Sequence, residues 1–250
     1  MVSASEAKEA RAKVEQFKKS VTDEGERLVK EVFPQRILEL NDLLAKPPFT
    51  ATDLTQFHSA LNIPVPEPRD TAEQPAKRRK LSGDNGVAAA VDGTKVMALP
   101  SGPVPCNKLI SEIIETLKPI IRQIMEETNL LKMWVTYMIP KIEDGNNFGV
   151  SIQEDTLGEV SSAESEAATF FQEMSRYYSF RAKLISKVAK YPHLDDYRRS
   201  VQEMDEKEFI SLRLTLVEIR NRYSTLHDVI SKNLEKIKKP RSVNSHDTMY

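Results

Sequence analysis

The chain of 250 residues has a single cysteine, Cys106, which excludes a disulfide framework and any multi-cysteine zinc site and points to an intracellular protein. Glycine is scarce, with eight residues, and this disfavours a turn-rich all-β fold. Charge of one sign is also lacking. The 36 Lys+Arg and 37 Asp+Glu leave a net charge of -1, so no basic excess argues for wrapping nucleic acid, and none is expected as a partner. No run of 18 apolar residues is present, and Met1-Val-Ser-Ala-Ser-Glu6 carries no apolar signal core, so neither membrane association nor secretion is expected. Neither a G-x-x-x-x-G-K-[ST] loop nor a G-x-G-x-x-G turn is found, so no phosphate cradle is visible. H-E-x-x-H is absent, and the four histidines, His58, His193, His227 and His246, are not at helical ligand spacing from one another. His193 beside Asp195 and Asp196 reads as a polar turn rather than a ligand set, and Cys106 as a residue near a helix start. The expectation is a non-enzyme without metal or cofactor.

What is present is helical periodicity. Ala7, Ala10, Val14, Phe17, Val21, Leu28 and Val32 recur at steps of three, four and seven, after Ser3 and Glu6, which are spaced for a capping box. Pro34 predicts an interruption, followed by a shorter helix through Ile37, Leu40 and Leu44. Pro47-Pro48 ends it, and Thr52 to Leu61 predicts one more short helix. A second long helix is expected from Asn107 to Ile139 on Ile110, Ile113, Leu117, Ile120, Ile124, Leu131, Val135 and Met138, bent at Pro119. Ser151 and Glu154 predict the capping box of a third, with a stripe of Val160, Ala167, Phe171, Met174, Tyr178, Ile185 and Val188. The fourth has the cleanest repeat: Phe209, Leu212, Leu216, Ile219, Tyr223, Leu226 and Ile230, widened by Ile210, Leu214, Val217 and Val229.

These helices predict an all-α, elongated, up-and-down four-helix bundle. The first helical segment is 1–63. Residues 64–104 form a long disordered loop, holding Pro64, Pro66, Pro68, Pro75, Pro100 and Pro103 with Gly83, Gly86, Gly93 and Gly102. Residues 105–239 carry helices two to four, and 240–250 a C-terminal tail. A thin rod with a second apolar stripe suggests assembly side by side with other copies.

Three segments stand outside the bundle's needs. The connection 141–150 holds Gly145, Asn146, Asn147 and Gly149, which tolerate left-handed backbone angles, around one aromatic, Phe148; it reads equally as a capping loop or a docking knob. Lys77-Arg78-Arg79-Lys80 is a basic run of the kind read as a nuclear-import signal. The tail after Pro240 is short and polar, ending Thr248-Met249-Tyr250. Arg176, Lys183, Lys187 and Lys190 also share one face of the third helix, ordinarily a solvated one.

The run Ile142-Glu-Asp-Gly-Asn-Asn-Phe-Gly-Val-Ser-Ile-Gln153 resembles the activation loop of REG-type proteasome activators, in particular of their gamma-type branch. Lys132-Met-Trp-Val135, Ser175-Arg-Tyr-Tyr178, Arg181-Ala-Lys-Leu184, Lys190-Tyr-Pro-His193, Asp196-Tyr-Arg-Arg199, Asp205-Glu-Lys207, Leu226-His-Asp228 and the terminal Tyr250 are similar to that family as well. The resemblance implies a homoheptameric ring that caps the proteasome core particle without ATP. Tails ending Thr248, Met249 and Tyr250 would dock between core α subunits. Gly145, Asn146, Asn147, Phe148 and Gly149 would open the gate, with Asn146 as the essential side chain. The basic face of Arg176, Lys183, Lys187 and Lys190 would line the channel. It also implies a nuclear location, with the cytoplasm as second compartment, through an import receptor reading Lys77 to Lys80. The alternative from the residues alone is a nuclear helical adaptor or scaffold without proteasome-activating activity.

Overall fold

A computed structural model describes residues 3–67, 99, 101–141 and 150–240. Helices α1 (Ala4–Arg27) and α2 (Phe33–Leu44) are joined end to end through a π-helical turn, Leu28–Val32. After a 3-10 turn at Leu54–Phe57 come α3 (Lys108–Met138), α4 (Ser151–Lys190) and α5 (Asp195–Lys238). With α1 and α2 counted as one rod, this is the expected up-and-down four-helix bundle, and no strand occurs among the described residues.

Local chemistry explains the boundaries. At the start, the Glu6 N–H donates to Ser3 Oγ and the Ser3 N–H to Glu6 Oε2, closing the expected capping box. Pro34 does not interrupt the helix. The Phe33 N–H reaches back to the Leu28 carbonyl, five residues away, and this wider turn accommodates the proline ring at the head of α2. The helix expected over Thr52 to Leu61 shrinks to Leu54–Phe57. Asp53 caps that turn, and the chain beyond it is drawn out along α5, where Phe57 stacks on Phe209 at 3.8 Å and His58 Nε2 lies 2.5 Å from Glu206 Oε1. Helix α4 is also displaced by one position from expectation. Val150 is its N-cap, and no side chain caps it, so the Ser151–Glu154 box does not form.

Pairs across the bundle fix its directions. Lys132 meets Glu164 while Ser111 meets Tyr178, Glu166 meets Arg222 while Arg181 meets Asp205, and Asn41 meets Arg220 while Glu26 meets Lys238, so α3 and α5 run one way and α1–α2 and α4 the other. The core lies along the common axis: Phe33, Leu117, Ile121, Leu131, Trp134, Leu216, Tyr223 and Ile230 are all buried. Every member of the α5 stripe from Phe209 to Ile230 is buried as expected. On α3, Ile121 rather than Ile120 is the buried residue. Phe171 corrects the α4 stripe: it is 48% exposed, and Ala163 and Tyr177 are buried instead. Ile210 and Leu214 on α5 and Val14 and Phe17 on α1 are likewise exposed, so apolar surface remains outside the bundle.

Candidate functional site

One end of the bundle collects the last turns of α3 and α5 and the first turn of α4, with the last turn of α1 (Gly25 and Glu26) packed beside them. Two parallel helices ending together leave orphan carbonyls that water or a side chain must satisfy. Gln153, the third residue of α4 and fully buried, does so: its Nε2 donates to Met138 O at 2.8 Å and Ile237 O at 2.7 Å. A second tie joins α5 to α1, with Lys238 Nζ 2.6 Å from Glu26 Oε1. Hydrogen bonds from Lys238 first and Lys30 second hold the Glu26 carboxyl below its usual range, against a smaller effect of burial. Helix α1 closes on α3 where Gly25 meets Trp134; a Cβ at Gly25 would lie 2.4 Å from Trp134 Cγ.

Lys141 and Val150, which bracket residues 142–149, and Pro240, which precedes the tail, all leave from this end. The sequence-predicted residues Gly145, Asn146, Asn147, Phe148 and Gly149 lie outside the described residues, as do Thr248, Met249 and Tyr250. The structure nonetheless brings the roots of both segments together on one pair of helix ends.

The opposite end holds a buried polar cluster that motif reasoning missed. Asp205, with no solvent exposure, accepts from Arg181 Nε at 2.9 Å, Tyr177 Oη at 2.8 Å and Asn107 Nδ2 at 2.8 Å. Arg181 also donates to Ser59 Oγ, and Asn107 to Phe57 O. Asn62 Nδ2 bonds both Ser101 O and Pro103 O, and Arg198 holds Ile63 O. The chain entering the insert and the chain leaving it are thus pinned to one another and to α4 and α5. A buried ion pair is tolerated only when its remaining hydrogen-bonding groups are matched, and here they are. Burial, with the Asp205 charge next, pushes the Tyr177 phenol far above its ordinary range. Lys77, Arg78, Arg79 and Lys80 lie outside the described residues.

Of the candidate channel residues, Arg176, Lys183, Lys187 and Lys190 are all exposed on the continuous helix α4. Arg176 pairs with Glu173 at 2.5 Å. Lys183 lies over the Phe180 ring at 5.3 Å and Lys190 over Tyr191 at 5.1 Å, so two of the four charges rest on aromatic faces. On the facing helix, burial and then the Glu173 charge push the Glu208 carboxyl up to about 7. Cys106 and His193 are exposed, and no cluster of metal-ligating side chains occurs among the described residues.

The family model for the N-terminal part of proteasome activator PA28 matches residues 8–68, and that for its C-terminal part matches residues 103–247. The chain belongs to the PA28 family of proteasome activators. The two PA28 matches leave out 69–102, which lies within the insert read from proline and glycine content. Proteasome activator complex subunit 3 of Homo sapiens is 51% identical over 249 residues, covering 97% of this chain and 96% of that protein. The protein of the same name from Gallus gallus gives the same identity and coverage. Among solved structures, the 11S subunit of the Plasmodium falciparum proteasome, PA28, superposes with a TM-score of 0.69 at 29% identity, over 94% of this chain and 95% of that one. The archaeal 20S proteasome in complex with a mutated P26 activator gives a TM-score of 0.56 at 10% identity, over 96% and 99%, a likeness of fold alone. The REG-type resemblance is thereby borne out, together with its gamma-type branch.

Proposed function

We propose that this chain is a non-catalytic, ATP-independent activator of the proteasome core particle that works as a homoheptameric ring. The observation that carries this reading is PA28 family membership over nearly the whole chain, combined with the meeting of the ends of α3 and α5 and the start of α4, the helix ends that flank 142–149 and 241–250, at one end of the bundle. An activator needs that arrangement, because the element that holds the core and the element that opens it must reach the same surface.

Thr248, Met249 and Tyr250 dock in pockets between core α subunits, with the terminal carboxylate paired to a basic side chain of the receptor. One tail binds weakly, since ordering it costs entropy, but the tails of a ring act together at high effective concentration. Gly145, Asn146, Asn147, Phe148 and Gly149 then press on the gate, Asn146 being essential. Exposed Phe171, Ile210 and Leu214 supply apolar surface for contact between copies. Arg176, Lys183, Lys187 and Lys190 line the channel, and Lys77 to Lys80 direct the protein to the nucleus through an import receptor.

Mixing the protein with purified core particle tests this reading. The expected assembly has about seven times the 28.4 kDa chain mass. Deleting residues 247–250 abolishes core binding while the ring persists; Asn146→Tyr keeps ring and binding and loses stimulation. A nuclear adaptor without proteasome activity would show neither loss.

A further inference from the structure

We infer that Gln153 is a positioning residue that locks the end of α3 to the end of α5, so that the two functional segments leave the ring at one fixed relative height. The inference rests on the activator reading above and assigns a side chain to a task that reading leaves open, namely how docking is converted into opening.

A primary amide nitrogen carries two hydrogens at about 120°. Gln153 spends one on Met138 O at 2.8 Å and the other on Ile237 O at 2.7 Å. Two linear bonds from one planar nitrogen hold those oxygens roughly 5 Å apart. Met138 closes α3, four positions before residue 142, and Ile237 lies three before Pro240, where the tail starts. Gln153 itself lies four positions after residue 149, at the head of α4. One side chain therefore touches the root of each functional segment.

Its surroundings argue against a packing role. Gln153 is fully buried beside Ile237, also fully buried, and its Oε1 has no partner among the described residues. Burying a primary amide carries a desolvation cost that an aliphatic side chain of the same volume avoids. What an aliphatic residue cannot supply is the pair of directed bonds. The tie of Lys238 to Glu26 fixes the α5 end to α1 but not to α3, so it does not substitute for Gln153.

The test uses full-length rings carrying Gln153→Met, which keeps volume and removes both donors, and Gln153→His, which keeps a single ring N–H donor. Ring mass, affinity for purified core particle, and peptide hydrolysis at saturating ring are measured for each. The expected result is ring mass and affinity within twofold of the parent, with maximal stimulation reduced at least fivefold by Met and by an intermediate factor by His. A purely structural role would instead lower ring stability and affinity together and leave stimulation per bound ring unchanged; that result overturns the inference. So does a Met variant that stimulates within twofold of the parent. If the Met variant forms no rings, Gln153→Leu, also without donors and suited to the apolar surroundings of Ile237, is held to the same criteria. A parent protein that fails to stimulate overturns the activator reading and this inference with it, whereas a stimulating parent with an equally active Met variant overturns the inference alone.

Discussion

Adding one methyl group at Gly25 and at Gly158 should move stability in opposite directions. Both glycines lie inside helices, where replacing glycine by alanine ordinarily gains about 0.5–1 kcal/mol of stability. At Gly158 a Cβ meets nothing within 4 Å, so Gly158→Ala should realise that gain. At Gly25 the new Cβ would sit 2.4 Å from Trp134 Cγ, 2.7 Å from its Cβ and 2.9 Å from its Cδ2. Those are the rigid, inner atoms of a fully buried indole, so relief requires α1 to move away from α3. Overpacking a close contact costs about 1–3 kcal/mol, which exceeds the propensity gain and leaves a net loss of about 1–2 kcal/mol for Gly25→Ala. At about 2–4 °C per kcal/mol for a chain of this size, the unfolding midpoint should fall by several degrees. The assay is thermal unfolding of both variants at one fixed protomer concentration, since assembly makes the midpoint concentration-dependent. A Gly25→Ala protein as stable as the parent, or more so, would refute the close packing of α1 on Trp134.

Arg181→Ala should cost about 3–5 kcal/mol in denaturant unfolding, because it strands the buried Asp205 carboxylate, and Asp205→Asn should cost less because it removes the charge that needs a partner. Glu208 has a folded-state pKa raised to about 7 from an ordinary 4.5, so its contribution to stability falls as pH rises through that window. Glu208→Gln should therefore unfold at a higher temperature than the parent at pH 8, with the difference closing near pH 4. Replacing residues 68–98 with a short Gly/Ser linker should leave the bundle intact and stabilise it by about 1 kcal/mol through the shorter closing loop, because Asn62 and the Arg181–Asp205 cluster already hold the neck shut. The same deletion should abolish nuclear accumulation in cells, scored by microscopy.

The bundle was largely legible in the sequence. The seven-member stripe on α5 is buried without exception, because a 3.6-residue period on a helix packed against neighbours leaves little else to decide. Phe171 misled because periodicity marks an apolar face without saying whether the chain's own helices or another surface cover it. Pro34 misled because a proline forbids the α-helical bond but not the wider π-helical turn in front of it. The candidate site was legible in part. Residues 142–153 carried an unusual run, yet Gln153 drew no notice as its last member. Its role depends on two carbonyls, one from each of two helices that only the folded chain brings together. Arg181 and Asp205 stood out only as the first residues of two family-like runs, and not as a buried pair, since their exposures of 4% and 0% come from tertiary packing and leave no mark on spacing. Val150 rather than Ser151 stands at the N-cap of α4, with the buried Gln153 amide held on Met138 O and Ile237 O one turn further on.

The most direct measurement is the hydrolysis of a short fluorogenic peptide by purified, closed core particle, without nucleotide, as this protein is titrated in. A ring-forming activator gives a saturable rise of many-fold in rate, with half-saturation that weakens sharply when residues 247–250 are removed. A core particle that cleaves no faster at saturating protein would contradict the activator reading.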